Sequence, residues 1–381
     1  MKFLILGSGL MGSALAFDLA RSKGVTGITL ADSDFAAARR TAERIGSPLV
    51  KPVALDVEYQ DNVVALMGEH DCAIGAVSYR FNYGLSLAAI ETGVHFCDLG
   101  GNDDVVRRQR SLDPKARQKG VAIVPNCGLA PGMANVLAAR GAELFESIDR
   151  IALRVGGLPQ EPRPPFNYQL VFAVEGLVNE YSGFSATLRD SRIVQHETLT
   201  EVEAIDFPAP FGTLEAFHTS GGSSLLPEMF EGKVRHLDYK TIRYPGHCER
   251  FKTLLDLGFA SSEPVVVGSN VLTSREMFSE LLKRKLTGDG PDVVLLRVTV
   301  SGLRDGKETT LEFNLIDSFD KNDNITAMMR TTAYPTSVIA QMLTNGTIGT
   351  RGVMTPEQCV PLQPFLAELR ARSIAVTETW K

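Results

Sequence analysis

Short apolar runs alternate with longer amphipathic stretches over the first 125 residues. FLIL (3–6), GITLAD (27–32), LVKPVALDV (49–57), CAIGAV (72–77), VHFCDL (94–99) and VAIVP (121–125) have strand length. Segments 11–22, 34–45 and 82–92 between them have the length and spacing of helices. Strands alternating with such helices predict βαβ units and a doubly wound parallel sheet. A helix over 133–144 leads into IDRIALRVGGLP (148–159), and there the texture changes. Pro-rich LPQEPRPP (158–165) breaks the pattern, and 191–205 then alternates like a half-exposed strand. VVLLRVTVSGL (293–303) and TTLEFNLIDSF (309–319) flank Asp305-Gly306, a strong hairpin signal. The tail, 326–372, returns to helical spacing, with Thr355 placed to cap a helix whose first residue is Pro356. The predicted fold class is α/β, an N-terminal Rossmann sheet plus an inserted α+β domain with an antiparallel sheet. The predicted boundaries are 1–130 for the nucleotide domain, 131–325 for substrate and oligomerisation, and 326–381 for helices packing back on the first domain.

Composition narrows the function classes. A chain of 381 residues is long for one core and suits two or three domains. A net charge of −6 with dispersed basic residues excludes a general nucleic-acid binder. No run approaches the roughly 18 apolar residues of a membrane span, so no membrane partner is expected. Five widely spaced cysteines without a C-x-x-C pair read as reduced thiols of a cytoplasmic protein. Six scattered histidines show no metal-ligand spacing, so no metal is expected. Exposed sheet edges in the second domain need covering, which predicts a homo-oligomer.

GSGLMG sets Gly7, Gly9 and Gly12 in G-x-G-x-x-G spacing, after a strand and at the opening of a helix. Gly7 allows the tight turn, Gly9 the approach of a pyrophosphate, and Gly12 close helix–strand packing. Ser8, Leu10 and Met11 complete the loop, whose N–H groups face the phosphates. Asp32, ending the second strand, is placed for the adenosine ribose, with Ser33 beside it. Asp34 follows and no Arg or Lys does, so a 2′-phosphate would meet negative charge and the expected cofactor is NAD. Asp56 and Val57, Val77 and Ser78, Leu99 and Gly100, and Asn126 follow later strands, where ligands of such sheets sit. Asp98 is equally well read as a turn former.

Four stretches carry a resemblance to a known family: NCGLAPG (126–132), VGGLPQ (155–160), LEAFHTSGGSSLLPEM (214–229) and KTIRYPGH (240–247). With AMMRTTAYPTSVIAQML (327–343) and GVMTPEQCVP (352–361), they make the chain resemble the saccharopine dehydrogenase-like family nearly end to end, most closely its lysine-deaminating branch. The resemblance implies NAD-dependent oxidation of the lysine ε-amine to an imine, hydrolysed to the 6-semialdehyde and ammonia. Hydride leaves only a neutral amine, and neutralising an ammonium of pKa about 10.4 at pH 7 costs about 4–5 kcal/mol. The site therefore needs a base, a nearby cation or desolvation, and an anchor for the α-carboxylate. KTIRYPGH offers Arg243 as anchor, His247 and Lys240 as titrating groups, and Tyr244 to pack on the aliphatic stem. Each has a plain alternative, a sheet-edge cap or a solvated surface residue. Tyr168, Glu175 and His218 are secondary candidates. Two competing readings stand beside this one. The same fold also supports reductive condensation, as in saccharopine reductases and carboxynorspermidine synthases, which needs a second anchor from Arg154, Arg163 or Arg275. The other is a non-catalytic NAD-binding protein with few polar groups at its site.

Overall fold

The computed structural model describes residues 1–381. The chain forms two compact units, residues 1–141 with 329–376, and 142–328 with 377–381. In the first unit, β1 (Lys2–Leu6), β2 (Gly27–Asp32), β3 (Val50–Ala54), β4 (Cys72–Gly75), β5 (His95–Asp98) and β6 (Ala122–Val124) alternate with helices. The helices are α1 (Leu10–Arg21), α2 (Phe35–Ile45), α3 (Gln60–Met67), α4 (Asn82–Thr92), α5 (Asp103–Arg110), α6 (Asp113–Lys119) and α7 (Met133–Ala142). The strands pair in parallel in the order β6-β5-β4-β1-β2-β3, and a late strand, Gly352–Val353, adds beside β6. Strands covered on both faces must be apolar throughout, and Phe3, Leu4, Ile5 and Leu6 are fully buried. β1 lies between β2 and β4, so the connection order reverses where the chain leaves it.

The second unit holds β7 (Ser147–Pro159), α8 (Val174–Glu180), β8 (Phe184–Arg189), β9 (Arg192–Glu197), β10 (Glu203–Phe207), β11 (Gly212–His218), α9 (Leu226–Phe230), β12 (Val234–Arg243) and α10 (His247–Asp256). It continues with the hairpin β13 (Pro264–Val267) and β14 (Asn270–Thr273), α11 (Ser274–Leu286), β15 (Asp292–Arg304) and β16 (Lys307–Ser318). Its main sheet runs β10-β11-β12-β7-β15-β16, with β8 attached to β12 and β9 to β8. Only β7 and β12 pair in parallel; the other neighbours are antiparallel. Asp305 and Gly306 both take positive φ at the β15–β16 turn, as a two-residue hairpin turn requires. The segment 191–205 is not one strand: Leu199 and Glu201 adopt positive φ and separate β9 from β10.

The chain then returns to the first unit through α12 (Ala327–Thr344), α13 (Pro356–Cys359) and α14 (Leu362–Ala371). Asp18 of α1 ties this return down, accepting from Ser337 Oγ at 2.5 Å and from Arg372 Nε at 2.7 Å. The last strand departs from the expected helical tail. Thr377–Trp380 pairs with β16 as an edge strand of the second unit.

Period-two alternation on the central strand β12 sends its polar residues to opposite faces. Asp238, Lys240 and Ile242 take one face; Tyr239, Thr241 and Arg243 take the other. Across the ladder, His218 lies opposite Lys240, Ala216 opposite Ile242 and Phe217 opposite Thr241. Ile242 and Ala216 accordingly join one apolar cluster, with Leu158 and Leu295, while Phe217 joins another, with Tyr168, Tyr181 and Phe251.

Candidate functional site

In the first unit every expected cofactor turn except Val57 sits at the carboxyl ends of the parallel strands. Gly7 has φ +105°, and a Cβ there would come within 2.5 Å of the Ala76 carbonyl oxygen. A Cβ on Gly12 would collide with the Gly7 carbonyl, whereas one on Gly9 would meet nothing within 4 Å. The loop is therefore closed against the sheet at its ends and open at Gly9, the shape a pyrophosphate needs. Gly9 caps α1 without a side-chain acceptor, leaving first-turn N–H groups for an anion. The Asp32 carboxylate accepts from Ser8 N at 2.7 Å, Ser8 Oγ at 2.8 Å and Asp34 N at 2.9 Å. Burial pushes its pKa up, but these hydrogen bonds prevail and hold it below the usual value. Asp34 caps α2 through Ala36 N and Ala37 N. An open depression of about 530 Å³ beyond β2 and β3 is lined by Ser33, Ala54, Asp56, Asn62 and Leu66, with room for an adenine ring. Val57 does not line it; it is buried in the apolar core with Leu55 and Val63.

The later turns meet around Asp98, which is fully enclosed. It accepts from Gly100 N at 2.8 Å and Asn126 N at 3.3 Å, and from Gln109 Nε2 at 2.7 Å. Asp98 thus holds the turns after β5 and β6 in place, the turn-forming role. Burial raises its pKa to about 6 against those hydrogen bonds. Val77 packs against Gly7, Ser78 is exposed, and Leu99 and Gly100 stay partly exposed at the same edge.

In the second unit the face of β12 that carries Arg243 forms a polar site inside an aromatic shell. Arg243 is 3% exposed. Its Nε donates to Tyr181 Oη at 2.8 Å and its Nη1 to the Ile242 carbonyl at 2.9 Å. The guanidinium carbon lies 4.7 Å from the Tyr168 ring centre. No carboxylate of the protein forms an ion pair with it, and Nη2 makes no hydrogen bond to the protein. His247 Nε2 is 2.9 Å from Tyr181 Oη, and its Nδ1 is 2.9 Å from the Phe166 carbonyl oxygen. Burial, with Arg243 nearby, drives the His247 pKa down to about 3. It stays neutral at physiological pH and orients Tyr181, contrary to the expectation of a titrating group. Burial raises Tyr168 to about 12, so its phenol remains a donor. Glu180, at the end of α8, feels the same cation. Burial lifts its pKa to about 7 while Arg243 works against the rise.

Four expected residues lie elsewhere. Lys240 is buried on the opposite face, donating to Glu203 Oε2 at 2.9 Å and to the Glu201 carbonyl at 2.6 Å. His218 shares that face, 3.1 Å from Glu201 Oε2. Strand alternation removes both from Arg243. Tyr244 donates to the Pro159 carbonyl at 3.0 Å and packs on the Ile242 side. Glu175 is exposed on the first turn of α8. The carboxyl that reaches the Arg243 side is Glu180, five residues on, and the phenol joining Arg243 to His247 is Tyr181. Their signal in the chain is Val174, Leu177, Val178 and Tyr181 at helical spacing, which turns the end of α8 inward.

The Lys240 face is a closed charge network. Arg154 bonds Asp238 at 3.0 and 3.1 Å and also pairs with Glu203. His196, Glu201 and His218 bring possible metal-ligand atoms within 4.8 Å of one another. Glu201 is already bound there by Arg189 at 2.9 Å and by both imidazoles. Lys240 adds further positive charge, so the surroundings disfavour a divalent cation.

Comparison with known proteins follows this geometry. Residues 3–124 match the saccharopine dehydrogenase NADP binding domain, and 128–374 match the saccharopine dehydrogenase C-terminal domain. The chain is 22% identical over 298 residues to a saccharopine dehydrogenase [NADP(+), L-glutamate-forming] of Saccharomyces cerevisiae, covering 74% of this chain and 64% of that protein. It is 21% identical over 450 residues to the Schizosaccharomyces pombe protein of the same description, covering 99% and 98%. The apo structure of the Saccharomyces cerevisiae saccharopine dehydrogenase (L-Glu forming) superposes with a TM-score of 0.81 at 18% identity, over 100% of this chain and 99% of that one. With both domain types matched in order, a glycine loop shaped for pyrophosphate in the first and the Arg243 site in the second, the chain belongs to the saccharopine dehydrogenase family, and its first domain is an NAD(P)-binding domain.

Proposed function

We propose that the protein is an NAD-dependent dehydrogenase of the L-lysine 6-dehydrogenase type. It would convert the lysine ε-amine and water to the 6-semialdehyde and ammonia, the semialdehyde cyclising to piperideine-6-carboxylate. The observation that carries this reading is Arg243, a buried guanidinium with one open edge and no carboxylate of its own. Burying an uncompensated charge costs several kcal/mol, and an arriving ligand carboxylate offsets that cost. Glu180 supplies the complementary charge for an α-ammonium, so the two together suit the zwitterionic head of an amino acid. Tyr181, held by His247, fixes the guanidinium so that its free edge faces the ligand.

The Gly7–Gly12 loop suits the pyrophosphate, Asp32 the adenosine ribose and the Ser33–Asp56 depression the adenine. When bound, the nicotinamide accepts a hydride from the carbon bearing the amine. Asp32 is held ionised and followed by Asp34, which favours NAD over a 2′-phosphate.

Reductive condensation is the second reading, supported by the NADP in the relatives' descriptions. It requires a second carboxylate anchor. Of the three arginines considered for that task, Arg154 is committed to Asp238 and Glu203, Arg163 is exposed and pairs with Glu161, and Arg275 donates to Asn179. The engagement of Arg154 and Arg275 favours the single-substrate reading, whereas Arg163, held only by an exposed ion pair, stays available to the second reading. Arg243 and Glu180 likewise speak against a non-catalytic NAD binder. The test is NAD(P)H formation by the purified protein with a panel of amines. Turnover of lysine with NAD supports the proposal. Turnover of saccharopine alone, or with NADP only, replaces it with the second reading.

A further inference from the structure

We propose that Glu215 is a positioning residue for substrate recognition. It fixes His247 through the backbone on both sides of it, and thereby sets Tyr181 and the open edge of Arg243; only the identity of the substrate rests on the dehydrogenase reading. Glu215 lies on β11 directly opposite Arg243 in the β11–β12 register. Opposed residues share a face, with Cβ atoms about 5 Å apart. Phe217, two residues on, packs with Tyr181 on that face, and Thr219, two further, bonds Thr241 at 2.7 Å. A carboxylate so placed would ordinarily neutralise the guanidinium across from it. Here both its oxygens are engaged elsewhere. Oε2 accepts from Gly246 N at 2.9 Å and Oε1 from Cys248 N at 2.7 Å.

The reason is the start of α10. The first N–H groups of a helix have no partner within it. Gly246 caps α10 with φ +83° and has no side chain to accept from them. Glu215 supplies both acceptors from the neighbouring strand, and its charge suits the positive end of the helix. His247 lies between the two bonded N–H groups, so the backbone that carries it is held on either side. Its imidazole then spans the Phe166 carbonyl and Tyr181 Oη, each at 2.9 Å, and Tyr181 receives Arg243 Nε at 2.8 Å. Glu215 thus does two things for Arg243. It steadies the contacts behind the guanidinium, and it keeps its own carboxylate out of the place a ligand carboxylate would take.

Glu215→Ala and Glu215→Gln, the second keeping one acceptor, are compared in the full chain. With histidine rings labelled by nitrogen-15, the His247 ring signal is assigned by its loss in His247→Asn. Glu215→Ala is expected to shift or broaden that signal and to leave in place those of His218 and the His196 stacked on it, a readout that needs no substrate. In kinetics with lysine, or with saccharopine if that alone is oxidised, KM for the amine is expected to rise about three- to tenfold. The rise should be smaller for Glu215→Gln, with KM for the coenzyme constant. Combined with His247→Asn, Glu215→Ala should add nothing further, because both act on one chain of contacts. If Glu215→Ala fails to fold, Glu215→Gln carries the same readouts. An unmoved His247 signal overturns the proposal whatever the substrate proves to be. So does a lowered melting temperature with unchanged KM for the amine, the mark of a purely structural cap, and so does a fully additive double variant. A moved His247 signal in a protein that oxidises no amine supports the clamp and overturns only the dehydrogenase reading.

Discussion

The two faces of β12 carry similar residues in opposite states. On one, Arg154, Lys240, Asp238 and Glu203 satisfy one another inside the protein. On the other, Arg243 has two neutral acceptors and no counter-ion, beside a carboxyl whose pKa has been pushed to about 7. A balanced network fixes strands; an unbalanced one keeps binding energy in reserve for a ligand. The second kind marks the candidate site, although both faces are buried and polar.

Substitutions on the two faces should therefore separate stability from activity. The largest effect is expected at Arg243. Arg243→Ala should raise the KM for lysine about 10²–10³-fold, the equivalent of about 3–4 kcal/mol for a lost buried charge pair, while the melting temperature holds or rises. Steady-state kinetics alongside thermal unfolding check both halves, and a fallen melting temperature with unchanged KM would make Arg243 structural. Asp238→Ala should do the reverse. It leaves Arg154 with Glu203 as its one remaining carboxylate partner and should cost up to about 3 kcal/mol of stability in denaturant titration, with KM unchanged in the folded fraction.

Next comes the pH dependence. Glu180 must be ionised to receive an α-ammonium, and its pKa lies near 7. KM for lysine should be lowest above pH 7 and rise as pH falls below it, approaching tenfold per unit. Glu180→Gln should flatten that limb of the KM–pH profile at a uniformly higher value, and a profile unaltered in shape would remove Glu180 from the ligand. The smallest effect belongs to His247, neutral throughout this range. His247→Asn should lower kcat/KM by about tenfold or less, through looser positioning of Tyr181, without moving any inflection of the pH profile.

Much of the first unit was legible in the chain because its signals are local. The glycine spacing of 7–12 needs only a preceding strand and a following helix to be read. Asp305-Gly306 announced its hairpin for the same reason. KTIRYPGH was legible as a cluster of unlike polar groups but not as divided, since contiguity in sequence suggested one cluster. Only the knowledge that Lys240 and Arg243 occupy a two-sided buried strand places them on opposite sides. Glu180 was missed in favour of Glu175 because the α8 stripe rests on Leu177, Val178 and Tyr181 meeting a core whose other half arrives from Phe217 and Phe251. Thr377–Trp380 was unreadable for a related reason: four residues become a strand only when β16 presents an edge to them.

Asp32 has a further consequence for the proposed preference for NAD. The usual exchange of this acid for a small neutral residue would remove a repelling charge. Here it would also cut both bonds that fasten Ser8 to the end of β2. Coenzyme choice and the rigidity of the phosphate loop are thus inherited together, and a redesign must first give Ser8 another acceptor.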